Sequence, residues 1–221
     1  MGSEERYEEA KDRYLSREPE RLRRDADDPL HRRSELHDRD ARQSVRVVET
    51  SQLSPDELTS LRTLLDEAWV GEEAFDETDW QHALGGTHFL MEVEGTVRSH
   101  VSVVERVLEA GGRAMGTGFV EAVATRREDR GNGHASRLIR EANTLIDARY
   151  ELGALGTGLF RFYGRLGWEP WRGPTGVRTG AGVDRTPDED GFIMVLRTSR
   201  TPSDLDLGAL LTCDWRPGDV W

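Results

Sequence analysis

Apolar and polar positions divide the chain into two stretches of different character. From Met1 to about Gln43, Tyr7, Tyr14, Leu22, Leu30 and Leu36 stand thinly among Arg, Glu and Asp. Little apolar surface is present there to offset the entropy of ordering, so residues 1–43 read as either a marginal helix or a disordered extension. From Ser44 the pattern tightens into what reads as one domain, 44–221. Val45, Val47 and Val48 mark a strand over Ser44 to Glu49. Ser54-Pro55-Asp56-Glu57 then opens a helix, with a capping hydroxyl, a proline at the first helical position and acids near the positive end of the dipole. Leu58, Leu61, Leu64, Leu65 and Ala68 supply its buried stripe.

Thr78-Asp79-Trp80 starts a short helix. Thr87 to Val93 and Val97 to Leu108 read as hairpin strands about Glu94-Gly95-Thr96, and Phe119 to Thr125 as a central strand after the turn Ala110-Gly111-Gly112-Arg113. A helical period returns from Gly133 to about Arg149 through Leu138, Ile139, Ala142, Leu145 and Ile146. Leu155 to Gly158 is a further strand, Leu159 to Leu166 a short helix ended by Gly167, and Ile193 to Leu196 and Leu210 to Asp214 are late strands. Gly173 to Gly191 is rich in Gly, Pro, Thr and Asp and reads as a loop that could reach over a pocket. Short strands alternating with two amphipathic helices predict an α+β (α/β-like) fold.

Composition narrows the function classes. A chain of 221 residues can bury a core of its own. Its formal net charge of −12 argues against a general nucleic-acid binder, suits a cationic partner, and also simply aids solubility. Cys213 is the only cysteine, so an intrachain disulfide and a CxxC site are excluded, and it reads as a small buried apolar residue. The histidines, including His82, His88, His100 and His134, show no zinc spacing, so no metal is expected. The start of the chain is charged rather than apolar and no segment has the length of a bilayer span, so the expectation is a cytoplasmic protein without a membrane partner.

The chemistry centres on Arg130-Gly131-Asn132-Gly133-His134-Ala135, between the central strand and the long helix. Glycines let a backbone approach a ligand closely, and orphan amides at a helix start favour negative charge, so strand, turn and helix make a phosphate cradle. Arg126, Arg127 and Arg130 add a basic flank. The turn is neither a dinucleotide fingerprint, since Ser136 stands at the third glycine position, nor a P-loop. An ordinary strand-to-helix connection with solvated arginines is the competing reading.

Arg130-x-x-Gly133-x-Ala135 resembles the acyl-CoA-binding pattern Gln/Arg-x-x-Gly-x-Gly/Ala of the GCN5-related N-acetyltransferase superfamily. From about Val45 onward the chain is similar to its aminoglycoside 2′-N-acetyltransferase branch. The similarity runs through Glu77-Thr78-Asp79-Trp80, Leu84-Gly85-Gly86, Tyr150-Glu151-Leu152-Gly153-Ala154-Leu155, Gly167-Trp168-Glu169-Pro170-Trp171, Thr186-Pro187-Asp188-Glu189-Asp190-Gly191 and Cys213-Asp214-Trp215-Arg216-Pro217-Gly218-Asp219-Val220-Trp221. The resemblance implies a mixed central sheet flanked by helices, with an acyl-donor cleft where neighbouring strands splay. It implies acetyl-CoA as donor, a cationic aminoglycoside or related amino sugar as acceptor, antibiotic resistance where such a drug is the cellular substrate, and often a homodimer. Another polyamine as acceptor, or a noncatalytic acyl-CoA sensor, are the alternatives.

Site residues follow from the same resemblance. Arg130, Gly131, Asn132, Gly133, His134 and Ala135 would hold the pyrophosphate. Val123, Ala124 and Thr125 would offer backbone groups to the pantetheine and thioester beside a bulge, against the alternative of a fully paired strand. Tyr163, in Phe162-Tyr163-Gly164-Arg165-Leu166-Gly167, would protonate the departing thiolate, since a phenol with an ordinary pKa near 10 keeps its proton at neutral pH; otherwise it is a core tyrosine. Glu121, an acid within an apolar strand, would take the amine proton through water or attract an ammonium group, or else faces outward on an alternating strand. Asp79, Asp188, Glu189, Asp190 and Asp219 would form an acidic substrate wall, or are solvated loop charges. Glu189 stands where the family commonly has aspartate. Trp221 would line the acceptor site with its indole and its carboxylate, and Trp171 and Trp215 would add apolar walls.

Overall fold

In a computed structural model, residues 43–70 and 74–221 are described. The expected 1–43 extension, together with Glu72 and Glu73, lies outside the described residues, apart from Gln43, which opens the first strand. The elements follow the hydrophobic pattern closely. Strand β1 (Gln43–Glu49) precedes helix α1 (Pro55–Ala68). Ser54 caps α1 in a reciprocal box with Glu57, and Leu61, Leu64 and Leu65 are its buried stripe. Helix α2 (Glu77–Ala83) starts one residue earlier than Thr78-Asp79-Trp80 suggests, because Asp76 and Asp79 cap each other's amides.

Strands β2 (Thr87–Val93), β3 (Thr96–Ala110) and β4 (Arg113–Thr125) form a meander. Helix α3 (His134–Arg149) leads to β5 (Leu152–Gly156), helix α4 (Phe160–Gly164), β6 (Glu169–Pro170), β7 (Thr175–Thr179), β8 (Gly182–Arg185), β9 (Ile193–Arg197) and β10 (Leu211–Asp214). The expected long loop from Gly173 to Gly191 instead contains the β7–β8 hairpin. Its strands are four or five residues long, and β8 is exposed throughout, so apolar alternation does not reveal them.

The described strands form one mixed sheet in the order β6-β9-β5-β4-β3-β10-β7-β8, with β1 and β2 added beside the first half of β3. The pairs β4–β5 and β10–β7 are parallel and the others antiparallel. One face of the central strands carries Leu138, Ile139, Ala142 and Ile146 of α3, together with Val120 and Tyr163. The opposite face carries Leu61, Leu64 and Leu65 of α1, Trp80 of α2 and Ala124. A third cluster closes the β7–β10 end around Phe119, Trp171, Leu211, Cys213 and Trp221.

Two register features open the middle of the sheet. Parallel pairing of β4 with β5 runs from Thr117↔Leu152 to Phe119↔Ala154 and stops, although both strands continue. Just beyond, the β3–β4 ladder slips from Ser102↔Glu121 to His100↔Ala124, which leaves an extra residue on β4. Ala122 takes φ 50° at that bulge. A positive φ is costly for a residue with a Cβ and persists only where its surroundings hold it. The bulge anticipated for this strand is therefore present, and the strands part beside it.

Candidate functional site

The glycine turn lies at the mouth of this parting. A short 3₁₀ turn (Arg127–Asp129) follows β4, and Gly131 and Gly133 then take φ 86° and 81°. A Cβ at either glycine would meet no protein atom within 4 Å, so the space over the turn is open. Gly133 caps α3 without a side-chain acceptor, and Arg137 N–H donates to its carbonyl. Among the described residues, the amides of Gly131, Gly133, His134 and Ala135 meet no main-chain acceptor. Arg130 and Asn132 differ, since their N–H groups already donate to Arg127 and Asp129.

Two of the three arginines of the basic flank are engaged away from the turn. Arg126 pairs with Glu67 at 2.6 Å, while Arg130 donates to the carbonyls of Thr125 and Ala68. The acid and the bare carbonyls near the C-terminal end of α1 attract these cations. The cradle among the described residues is thus made of amides and a helix terminus rather than of the Arg126 and Arg130 side chains, and an anion of diphosphate type suits it.

On the α3 face, Tyr163 is buried on α4, edge-on to Phe162 and Trp168 with ring centroids 4.9 and 6.1 Å away. It shares a cluster with Val120, Leu138 and Leu155, and Val123 packs against that cluster. The parted ends of β4 and β5 and the tyrosine therefore border one region.

Beyond the bulge, the last residues fold back onto β4. Arg216 donates from Nη1 to Glu121 Oε1 at 2.6 Å, from Nε to the Asp219 carbonyl and from Nη2 to the Trp221 main-chain oxygen. Arg106, itself buried, donates to the carbonyls of Val220 and Asp214. Both guanidinium groups lie near the Phe119 ring, at 5.1 and 5.8 Å from its centroid. Gly218 lets the segment lie against α2, since a Cβ there would come within 2.6 Å of Thr78 Cγ2. The Trp221 ring is buried and its Nε1–H donates to Thr186 Oγ1 at 2.9 Å. Trp221 is a docked core residue rather than a frayed end.

This docking revises several expected roles. Glu121 is neither outward-facing nor a free carboxylate: burial pushes its pKa up, Arg216 pulls against that shift, and the ion pair occupies one of its oxygens. Asp190 is committed to structure, accepting from Thr175 and pairing with Arg185 at 2.9 Å. Asp79 caps the amide of Asp76, and Asp219 gives one oxygen, Oδ1, to the Trp221 amide while its charge still acts on Glu189. Trp171 is buried with its indole bound to the Ala209 carbonyl, and Trp215 is 61% exposed.

Glu189 stands apart. Its carboxyl is pushed up to about 6 by burial and by the neighbouring charges of Asp219 and Asp188. No ion pair engages it among the described residues. A carboxylate with that poise can accept a proton near neutral pH, and three acids within electrostatic reach suit an ammonium-bearing ligand. Sequence reading passed over Arg106, Arg216 and Thr186. A cation in a polar segment reads as solvated, and only its fold-back onto β4 sets it against Glu121.

Among the described residues, no group of three or more His, Cys, Asp or Glu gathers to hold a metal ion. No described helix is long and apolar enough to cross a membrane.

Comparison with known proteins matches residues 49–171 to the family described as acetyltransferase (GNAT) domain. The chain is 39% identical over 181 residues to a protein named aminoglycoside 2′-N-acetyltransferase from Mycolicibacterium fortuitum, covering 80% of this chain and 92% of that one. Among solved structures, the GNAT family N-acetyltransferase YhbS from Escherichia coli, in complex with CoA, is similar with a TM-score of 0.57 at 17% identity, over 78% of this chain and 89% of that chain. A GCN5-related N-acetyltransferase from Kribbella flavida gives a TM-score of 0.50 at 20% identity over 61% of this chain, which spans only 35% of that longer protein. At these identities the structural likeness speaks to the fold, a curled mixed sheet with few helices.

Proposed function

This chain belongs to the GNAT acetyltransferase family, and from that premise we propose that it transfers acetyl from acetyl-CoA to the 2′-amine of an aminoglycoside. The observation that carries the choice of acceptor is that Asp188 and Asp219 both act on Glu189, with Asp219 also acting on Glu121 of β4, an acidic group fitted to a polycation. The relative from Mycolicibacterium fortuitum carries the same activity in its name.

The open turn over Gly131 and Gly133 supports binding of the donor pyrophosphate, and the parted strands leave room for the pantetheine arm. The acceptor amine must arrive neutral and aligned, because proximity supplies much of the rate. In the reaction the new N–C bond forms at the acetyl carbon as the C–S bond breaks. Glu189, directly or through water, takes the amine proton, and Tyr163 gives its proton to sulfur. Glu121 and Arg216 hold the Trp221 segment as one wall of the acceptor site. Acetylation removes one positive charge, which weakens attraction to anionic RNA and is the basis on which resistance would follow.

The test uses purified protein, acetyl-CoA and paired aminoglycosides with a 2′-amine or a 2′-hydroxyl. CoA release together with mass spectrometry should report acetylation at the 2′-amine only. Acetylation elsewhere, or of simple polyamines in preference, would move the assignment to another acceptor. A second expectation concerns the cradle. Gly133→Val forces a Cβ into the open space over the turn at a positive φ, and should raise the Kd for CoA roughly 10-fold, for a loss of about 1–3 kcal/mol in stability. Calorimetric titration with CoA that shows unchanged affinity would detach the turn from donor binding.

A further inference from the structure

Behind the bulge, on the α1–α2 side of the sheet, lies a chain of polar groups that the reaction as described does not use. Thr50 Oγ1 lies 2.7 Å from His88 Nε2, His88 Nδ1 lies 2.9 Å from His100 Nε2, and His100 Nδ1 lies 2.8 Å from the Ala122 carbonyl oxygen. Both histidines are buried completely. Two further side chains of β3 reach neighbouring carbonyls of β4: Ser102 Oγ donates to Glu121 O at 3.2 Å and Ser99 Oγ to Ala124 O at 2.7 Å. Where the ladder slips, β3 side chains take over the bonding of β4 carbonyls.

A carbonyl only accepts, so His100 must carry its proton on Nδ1. Burial holds His100 down to about 3 and His88 down to about 4, so both rings are neutral at physiological pH. His100 Nε2 is then an acceptor, and His88 must donate from Nδ1. His88 Nε2 accepts in turn, so the one Thr50 hydroxyl proton goes to it at 2.7 Å rather than to the Gly86 carbonyl at 3.1 Å, which the Thr50 amide already serves, and the hydroxyl accepts from the Gly85 amide at 2.9 Å. Glu49 on β1 is the charged group that acts on His88, and His88 is the ring that acts on His100.

This one-way chain pulls the Ala122 C=O toward the His100 ring. No peptide is cis. Across a trans peptide the carbonyl and the following N–H point in opposite directions. The Val123 N–H is therefore directed away from His100 and β3, toward the side on which β5 no longer pairs with β4. Ala122 packs on one face of the sheet and Val123 on the other.

We propose that His100, locked by His88 and Thr50, is a positioning residue that fixes the Ala122 peptide and so aims the Val123 amide at the acyl donor; the assignment rests on the donor reading given above. His100→Leu keeps bulk but removes the donor to Ala122. It should lower kcat about 10- to 100-fold while the Kd for CoA, set at the separate glycine turn, stays within about twofold. His100→Asn, whose amide nitrogen can stand where Nδ1 stood, should recover most of the lost kcat. A structural role alone would move thermal stability in both variants without this split between kcat and CoA affinity. The unaltered protein supplies a second readout: ¹⁵N NMR should find both rings neutral with the proton on Nδ1 from pH 6 to 8. An undiminished kcat in His100→Leu, an His100→Asn no better than His100→Leu, or a proton on Nε2 of His100 would each overturn the proposal. Should His100→Leu fail to fold, the tautomer measurement decides. Absence of CoA binding by the unaltered protein would instead remove the donor reading beneath it.

Discussion

Glu189→Gln is expected to lower kcat by roughly 10²–10⁴-fold, the range for loss of a positioned proton acceptor, while CoA binding remains. The carboxyl is poised at about 6 by burial and by Asp219 and Asp188. It must be ionised to take a proton, so kcat/KM for the acceptor should fall as pH drops through 6, and this limb should vanish in the variant. Stability should move the other way. A carboxyl whose folded pKa lies above its unfolded value stabilises the fold below the unfolded pKa and loses that contribution as pH rises through the folded one. At pH 8 the wild type carries the full cost of a buried charge among like charges. The glutamine variant is spared it and should melt no lower, and near pH 4 the difference should disappear. Full turnover in Glu189→Gln with an unaltered acidic limb would return the proton to another acceptor, and Glu121 would then need a route past its bond to Arg216.

Tyr163→Phe is the second large effect. The side chain lies on the α3 face just past the end of β5, on the β5 side of the parted strands. The variant keeps the ring and its edge-on contacts with Phe162 and Trp168, so packing should survive. What disappears is the hydroxyl that can donate to a departing thiolate. A kcat reduction of about 10²-fold is expected, with the KM for acetyl-CoA changed little. The deficit should shrink with acyl thioesters of more acidic thiols, which leave without a proton. Under conditions where chemistry limits turnover, an unchanged rate would remove Tyr163 from that step. A deficit independent of the leaving thiol would make it a shape-giving residue instead.

Local pattern settled much of this protein. The Ser54–Glu57 cap and the leucine stripe of α1, the periodic stripe of α3 and the apolar strands of the β2–β4 meander were legible because each depends on neighbours three, four or two residues away. The β7–β8 hairpin was not, since its strands are short and partly exposed and form only where β10 offers β7 a partner. Residue identity also suggested which chemistry to seek: glycines before a helix, a tyrosine after a short strand, acids near the end of the chain. Which of those acids keeps a free carboxylate was a tertiary decision. Glu121, Glu189 and Asp190 are the same functional group in sequence. Folding gives the first to Arg216, the third to Thr175 and Arg185, and leaves the second among like charges. Those partners lie between five and 95 residues away along the chain, and the energy of a charge depends on what surrounds it in space, which no short stretch of sequence contains.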